Sequence, residues 1–406
     1  MRVLDRPAPD SHAARRLDID HLRNIAVLLL LVFHTARLFN AEPWHVKDSS
    51  TYLAADLVVR AMNQWHMPLL FLLAGMSLHL ALARRGLAAT LEERLLRLAV
   101  PLAAGMVLIV PPQVYIERIT PGIMRMSPVD FAGSYVDFQS VAFDCCYPQA
   151  NLSWHHLWFV AYLLVYSLAL APALDALQSR GLTPRMTAWA TGGWRPFVLV
   201  VPIVMAEVLL RPRFPNTQDL IHDWANHAHY VALVVIGWAI VGNPALEAAV
   251  AGRRRANTAV AFVLAGLWIA IGLSPALAQL PLEARVAIRV TGEWACLLAF
   301  LGHARSHLDR PLGWLTAFSR YALPFYIVHQ TVIVLLGRQL LGWSEAPLLK
   351  FLVVMLASGA ISLAACRLLD SNPVTRLLVG LKGSRRLVSD RLDLGRTVDR
   401  GLDRQR

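Results

Sequence analysis

The stretch Asp20–His34, DHLRNIAVLLLLVFH, holds an uninterrupted apolar run from Ile25 to Phe33 between ionisable ends. Widened to residues 21–40, it is close to the ~20 residues a helix needs to cross a bilayer. Similar runs recur as far as Leu369, and the predicted spans are residues 21–40, 62–82, 95–113, 155–173, 196–211, 227–242, 257–276, 285–303, 314–337 and 347–369. The fifth and sixth are short and polar at their ends. The fold expected is therefore all-α: a polytopic membrane helix bundle of about ten transmembrane helices. Composition agrees, since the 406 residues are 56% hydrophobic and 16% charged, against roughly 45–50% and about 25% in soluble domains.

Loop charge tests the count, because cytoplasmic loops carry the Lys and Arg excess. Arginine is frequent before the first span (Arg2, Arg6, Arg15, Arg16), between the second and third (Arg84, Arg85) and between the sixth and seventh (Arg253, Arg254, Arg255). The tail adds Lys382, Arg385 and Arg386. Ten spans put all of these on one side, with both termini cytoplasmic. The chain then divides into a cytoplasmic segment at 1–20, a membrane domain at 21–370 and a basic tail at 371–406. The longest loop of the other side, residues 114–154, carries Glu117, Asp130, Asp137 and Asp144, and its length suits a lid or binding element.

The formal net charge of +12 is accounted for by this topology and does not imply nucleic acid, because the arginines sit in short loops rather than on an aromatic-laced surface. Cys145 and Cys146 are adjacent and Cys296 and Cys366 lie in apolar runs, so the cysteines form neither a disulfide framework nor a CxxC metal site. Residues 1–20 are polar and no small-residue cleavage site follows the first run, so the first helix is expected to stay in the protein. No internal repeat of the kind that transporters often retain is visible.

Ionisable groups within membrane spans are costly and usually functional. Arg23 and His34 are eleven positions apart; steps of ~100° bring them to about 20° of one another around the helix and about 16 Å apart along it. One helix face thus joins two depths of the membrane. A plainer account has Arg23 reaching anionic lipid phosphates and His34 hydrogen-bonding inside the bundle.

These residues resemble the acyltransferase-3 family of membrane acyltransferases, in which an Arg or Lys is followed after ten residues by a His in the first helix, often within D-x-x-R, here Asp20 to Arg23. ERLLR, with Arg94 and Arg97, resembles the family's R-x-x-R at the cytoplasmic start of the third helix. HMPLLFLLAGMS, with Ala74 and Gly75, resembles its second-helix run. HHLWFV (His155–Val160) is similar to its H-L-W-F opening after a long external loop, and SRYALPFYIVHQ to a late helix bearing its His at His329. The long loop and HLWF context are most like the branch that succinylates periplasmic glucans. Some relatives carry an extra helix and a soluble hydrolase-like domain; neither is expected from these 406 residues, so functions that need that domain are not implied.

The resemblance implies an inner-membrane enzyme that transfers an acetyl or succinyl group from cytoplasmic acyl-CoA to a hydroxyl of an extracytoplasmic glycan or lipid-linked sugar. Acyl-CoA enters as a donor substrate, and no permanently bound cofactor is expected. The donor is a polyanion, and guanidinium pairs well with phosphate, so Arg94 and Arg97 are expected to hold it, with His34 and Arg23 catalytic. A neutral imidazole suits His34 as a base; attack by His34 itself, through an acyl-histidine, is the alternative. His329, His156, Trp158 and His66 are candidate substrate contacts. Trp154 and Trp158 equally suit an interfacial aromatic belt. Glu207 and Glu293 are embedded acids suited to pair an arginine or orient a histidine. His227 and His229 form an H-x-H without partners at ligand spacing, so no metal is expected. The rivals are a transporter that uses the same Arg and His to pass a polar or anionic substrate, and a lipid-binding scaffold.

Overall fold

The computed structural model describes residues 15–120, 125, 127–135, 152, 154–343 and 346–381. Arg2, Arg6, Asp137, Asp144, Cys145, Cys146 and the tail residues Lys382, Arg385 and Arg386 lie outside the described residues. Every regular element described is helical. The order begins α1 (Leu17–Arg37), α2 (Leu53–Asn63), α3 (His66–Arg94), α4 (Val100–Ala104), α5 (Pro111–Ile119) and α6 (Pro128–Tyr135). It continues with α7 (Trp158–Ser179), α8 (Thr183–Thr187), α9 (Val201–Leu210), α10 (Trp224–Val241), α11 (Pro244–Gly252) and α12 (Arg254–Leu273). The last are α13 (Pro275–Ala278), α14 (Leu282–His307), α15 (Gly313–Phe318), α16 (Ala322–Gln339), α17 (Pro347–Leu369) and α18 (Pro373–Leu378).

All ten predicted spans fall on helices, but not all are alike. Among the described residues, six helical stretches are long and apolar enough to cross a bilayer, and a seventh forms if Thr183–Ala190 and Arg195–Leu210, bent by 111°, count as one span. That bent pair includes the short fifth span. One of the six, Leu53–Ile119, has 67 residues, about 100 Å if straight, three times the hydrocarbon core. It holds both the second and third predicted spans, divided where Gly86 leaves helical geometry at φ +75°, a conformation that glycine adopts without penalty. The eighth and ninth spans correspond to α14 and α16, whose polar residues, Arg289 and Glu293 in one and His329, Gln330 and Arg338 in the other, keep them below that apolarity. They pack within the protein: α14 lies against α12 and α1, and α16 against α1 and α17.

α1 is central, in contact with α2, α3, α14, α15, α16 and α17. Its start carries Asp18 and Asp20 and its end His34 and Arg37, the arrangement a helix dipole favours. Buried polar groups fix its rotation. His21 reaches the Leu308 carbonyl at 2.9 Å and Thr316 Oγ1 at 2.8 Å, and Asn24 Nδ2 donates to the Leu315 carbonyl and Ser319 Oγ at 2.9 and 2.7 Å. Cys296 and Cys366 are buried free thiols.

α3 and α10 cross closely, where small residues let backbones meet. A Cβ at Gly75 would lie 1.9 Å from the Val234 carbonyl oxygen, and one at Gly237 would lie 2.1 Å from that of Leu72. Neither neighbour is a side chain that can turn aside. Gly237→Leu is expected to destabilise the bundle by about 3 kcal/mol or more, seen as a lowered melting temperature and aggregation in detergent, with Gly252→Leu, at an open position, as a neutral control.

The embedded acids belong to one buried cluster. Both Glu207 and Glu293 bind His229, at Nδ1 (2.8 Å) and Nε2 (2.7 Å). Glu207 also accepts from Arg211 at 2.7 Å and Arg289 at 2.6 Å. The acids thus pair arginines and orient a histidine, while His227 turns instead to Tyr166 and the Leu220 carbonyl.

Candidate active site

Three cavities follow one another along α1. The first, about 760 Å³, is lined by eight arginines (Arg15, Arg16, Arg23, Arg84, Arg85, Arg94, Arg97, Arg320) against two carboxylates, Asp20 and Glu93. Several of these cations are already engaged. Arg23 pairs with Asp20 at 2.6 Å, and Arg85 with Glu93 at 2.5 Å. Arg97 donates to the Gly380 carbonyl at 3.1 Å. Arg320 grips Asp370 with two bonds of 2.6 and 2.7 Å, which hold that carboxyl below the usual aspartate range. Arg94 differs. It makes no hydrogen bond or ion pair among the described residues, and its Nε is buried without a partner. A buried N–H without a partner is costly, and the guanidinium it belongs to lines the cavity beside Glu93.

Arg23, Arg94 and Arg97 also line the second cavity, about 190 Å³, whose other walls are mainly apolar: Val27, Leu70, Leu98, Phe159, Leu163, Leu323 and Tyr326. Tyr326 is shared with the third cavity, about 380 Å³, where His34, His45, His66, His155 and His156 meet Trp44, Trp158, Asn63, Gln218 and Gln330. The Tyr326 hydroxyl donates to the His156 carbonyl, which fixes its ring between the two spaces. Val27 and His34 are two turns apart on α1, and the wall between the cavities lies at that interval.

The histidines here are not equivalent. His66 Nε2 donates to the Ala26 carbonyl at 2.7 Å, His156 Nε2 to the Ile327 carbonyl at 2.9 Å, and His329 Nδ1 to the Tyr326 carbonyl at 2.7 Å. A carbonyl only accepts, so each of those nitrogens carries the proton. His34 makes no hydrogen bond among the described residues, and its Nδ1 is buried. Its ring is held by packing, stacked on Trp44 (centroids 5.9 Å, 18°) and edge-on to Phe33 (5.0 Å). His34 is therefore the histidine of this group whose nitrogens remain uncommitted. His329 is fully buried behind it at 5.2 Å, with Nε2 lacking a partner, so it packs behind the cavity rather than lining it.

Trp44 is held over His34 by a short loop. Asp48 N–H donates to the Leu38 carbonyl and Tyr52 N–H to that of Phe39, both at 2.9 Å, and the Asp48 carboxylate is paired with the buried Lys350 of α17. Lys47 donates to the Arg37 carbonyl at 2.6 Å; burial, with Arg37 close by, pushes its ammonium down to about 8.

Of the residues singled out by sequence, Arg23, Arg94 and Arg97 share one cavity, and His34, His66, His156 and Trp158 share another. Trp154 donates to the Gln218 carbonyl at 2.8 Å. Tyr326, Trp44, His45, Glu117, Gln113 and Gln330 were not foreseen. Tyr326 had a signal, since it stands one helical turn before His329 on the same face. Glu117, in the long loop expected to act as a lid, reaches His45 Nδ1 at 2.6 Å.

Comparison with known proteins adds one finding. A family model described as an acyltransferase domain matches residues 16–367. No curated protein and no solved structure matches the chain.

Proposed function

The chain belongs to the acyltransferase-3 family of membrane acyltransferases, with residues 16–367 as the shared domain, and from that membership we propose that it transfers an acetyl or succinyl group from cytoplasmic acyl-CoA to a hydroxyl of an extracytoplasmic glycan or lipid-linked sugar. The observation that carries this reading is the series of three cavities along α1, joined by Arg23, Arg94 and Arg97 at one junction and by Tyr326 at the next. The succinyl option follows the resemblance to the glucan-succinylating branch.

With the arginine-rich end on the cytoplasmic side of an inner membrane, as the loop charges imply, the donor's phosphates meet Arg94 and its neighbours, and anionic lipid headgroups meet the outlying arginines. The slender pantetheine arm follows the apolar middle cavity, which brings the thioester to Tyr326 and His34. From the opposite side the sugar enters a space of aromatic faces and amides, the chemistry that suits its ring and hydroxyls. The acceptor oxygen attacks the thioester carbonyl while His34 takes the hydroxyl proton. The tetrahedral intermediate then collapses with cleavage of the C–S bond, and the protonated His34 returns its proton to the departing sulfur, so ester and free thiol form together. His34 Nδ1 is buried, which leaves Nε2 as the nitrogen that serves as the base.

The test is purified protein in nanodiscs given acetyl-CoA or succinyl-CoA with a glucan or glycolipid acceptor. The expected outcome is loss of one of these thioesters with matching ester formation on the sugar. Failure to bind or consume any CoA thioester would reject the reading and favour an exporter of a polar substrate.

A further inference from the structure

We infer that His45, Glu117 and His155 form a binding site for one zinc-like divalent cation at the wall of the histidine-rich cavity. The three residues come from separate segments: the loop after α1, the last turns of α5, and the turn that opens α7. One ligand atom from each lies within 4.8 Å of the other two. His45 and His155 both line the cavity, with ring centroids 5.2 Å apart. Two imidazoles and one carboxylate are the donor set of zinc sites that keep a fourth position open, and here the open side faces the cavity that contains His34.

Two features beyond proximity point to a ligand. His155 sits at φ +43°, a backbone state that a side chain of its kind rarely adopts and that persists where surrounding structure demands it; here it turns the His155 ring towards His45. The second is the outer partner that a ligating imidazole requires. His45 Nδ1 faces Glu117, so Nε2 is its outer nitrogen, 3.0 Å from the side-chain nitrogen of Gln330. Gln330 is 2% exposed, and its Oε1 is buried without a partner. Metal ligation through Nδ1 puts the ring hydrogen on Nε2, and turning the Gln330 amide offers it Oε1 in exchange for the 3.0 Å bond that Gln330 Nε2 now donates to Gln113 Oε1.

Without the ion, His45 Nδ1–H donates to the Glu117 carboxylate across 2.6 Å. Ligation replaces that hydrogen bond with two bonds to the cation, moves the ring hydrogen to Nε2, and opens the pair to the ~3.3 Å spanned by two ligands at ~2.0–2.1 Å in a tetrahedron. Mg²⁺ and Ca²⁺, which prefer oxygen shells, are not expected to bind. The site stands on this donor geometry, independent of acyl transfer.

The experiment uses the full chain in nanodiscs, stripped with a chelator and titrated with Zn²⁺ by calorimetry, with metal content measured by mass spectrometry. The expected result is one saturable equivalent, weakened at least 30-fold by Glu117→Gln and by His155→Asn, the latter chosen because Asn tolerates positive φ. His34→Ala should bind Zn²⁺ as the wild type does, so a failed acyltransfer assay leaves this outcome unaffected. Absence of a saturable Zn²⁺ equivalent in the wild-type protein overturns the site whether or not the variants fold. Equal Zn²⁺ affinity in wild type and both variants also overturns it.

Discussion

Replacement of His34 by alanine is expected to lower acyl transfer by about 10³-fold, within the 10²–10⁴ that a positioned base contributes, with donor affinity unchanged. The separation follows from placement. His34 lies in the histidine-rich cavity, and the arginines that meet the donor's phosphates lie in another, about 16 Å away along α1. His66→Ala and His156→Ala are expected to behave differently, because each donates to a carbonyl of a neighbouring helix, at Ala26 and Ile327; their loss lowers stability as well as rate. His329→Ala is a test of positioning, expected to cost about tenfold and to move the pH profile of turnover, since it alters the surroundings of the His34 base rather than removing it. Transfer that survives in His34→Ala at near wild-type rate would refute the assignment. Rapid mixing with donor in the absence of acceptor separates the two uses of His34: an acyl-histidine accumulates if it attacks the thioester, and nothing accumulates if it acts as a base.

The Arg23–His34 relation was legible in sequence because helical periodicity alone fixes which residues share a face. Arg94 and Arg97 were legible for a similar local reason, being one turn apart in a basic stretch. Some of their partners are local as well, Asp20 three positions before Arg23 and Glu93 four before Arg97. The bond from Arg97 to the Gly380 carbonyl was not legible, because it depends on where α18 and the chain after it return. The histidines show the same limit: His34, His66, His156 and His329 stood out as candidates, but their division into three that donate to carbonyls and one that does not depends on how α1, α3, α7 and α16 pack. Glu117 and His45 are 72 positions apart, and no periodicity links a loop to a helix at that range. The helix count was blurred for a related reason. Arg289, Glu293 and Gln330 find partners inside the bundle, so α14 and α16 can be polar where lipid-facing helices cannot.

Arg94→Ala is expected to weaken donor binding by about 10–100-fold while leaving the melting temperature unchanged or raised. Both halves come from the same feature. Most arginines of the large cavity are paired within the protein, so their removal would strand an acid or a carbonyl and lower stability along with binding. Arg94 has no partner within bonding distance, and its Nε is buried, so in the empty protein its desolvation is offset only by the nearby charge of Glu93. Removal relieves that penalty, whereas with donor bound it deletes a charge-assisted hydrogen bond worth ~1.5–3 kcal/mol, at roughly tenfold in Kd per 1.4 kcal/mol. The loss should be equal for acetyl-CoA and succinyl-CoA, because Arg94 meets the phosphates and not the acyl group, and it should shrink with rising salt. Arg94→Lys keeps the charge but not the planar fork, and is expected to recover only part of the affinity. Calorimetry of donor binding beside thermal melting decides the matter. Unchanged affinity in Arg94→Ala would remove it from the donor site, and a large fall in melting temperature would mean that its true partner is the protein itself.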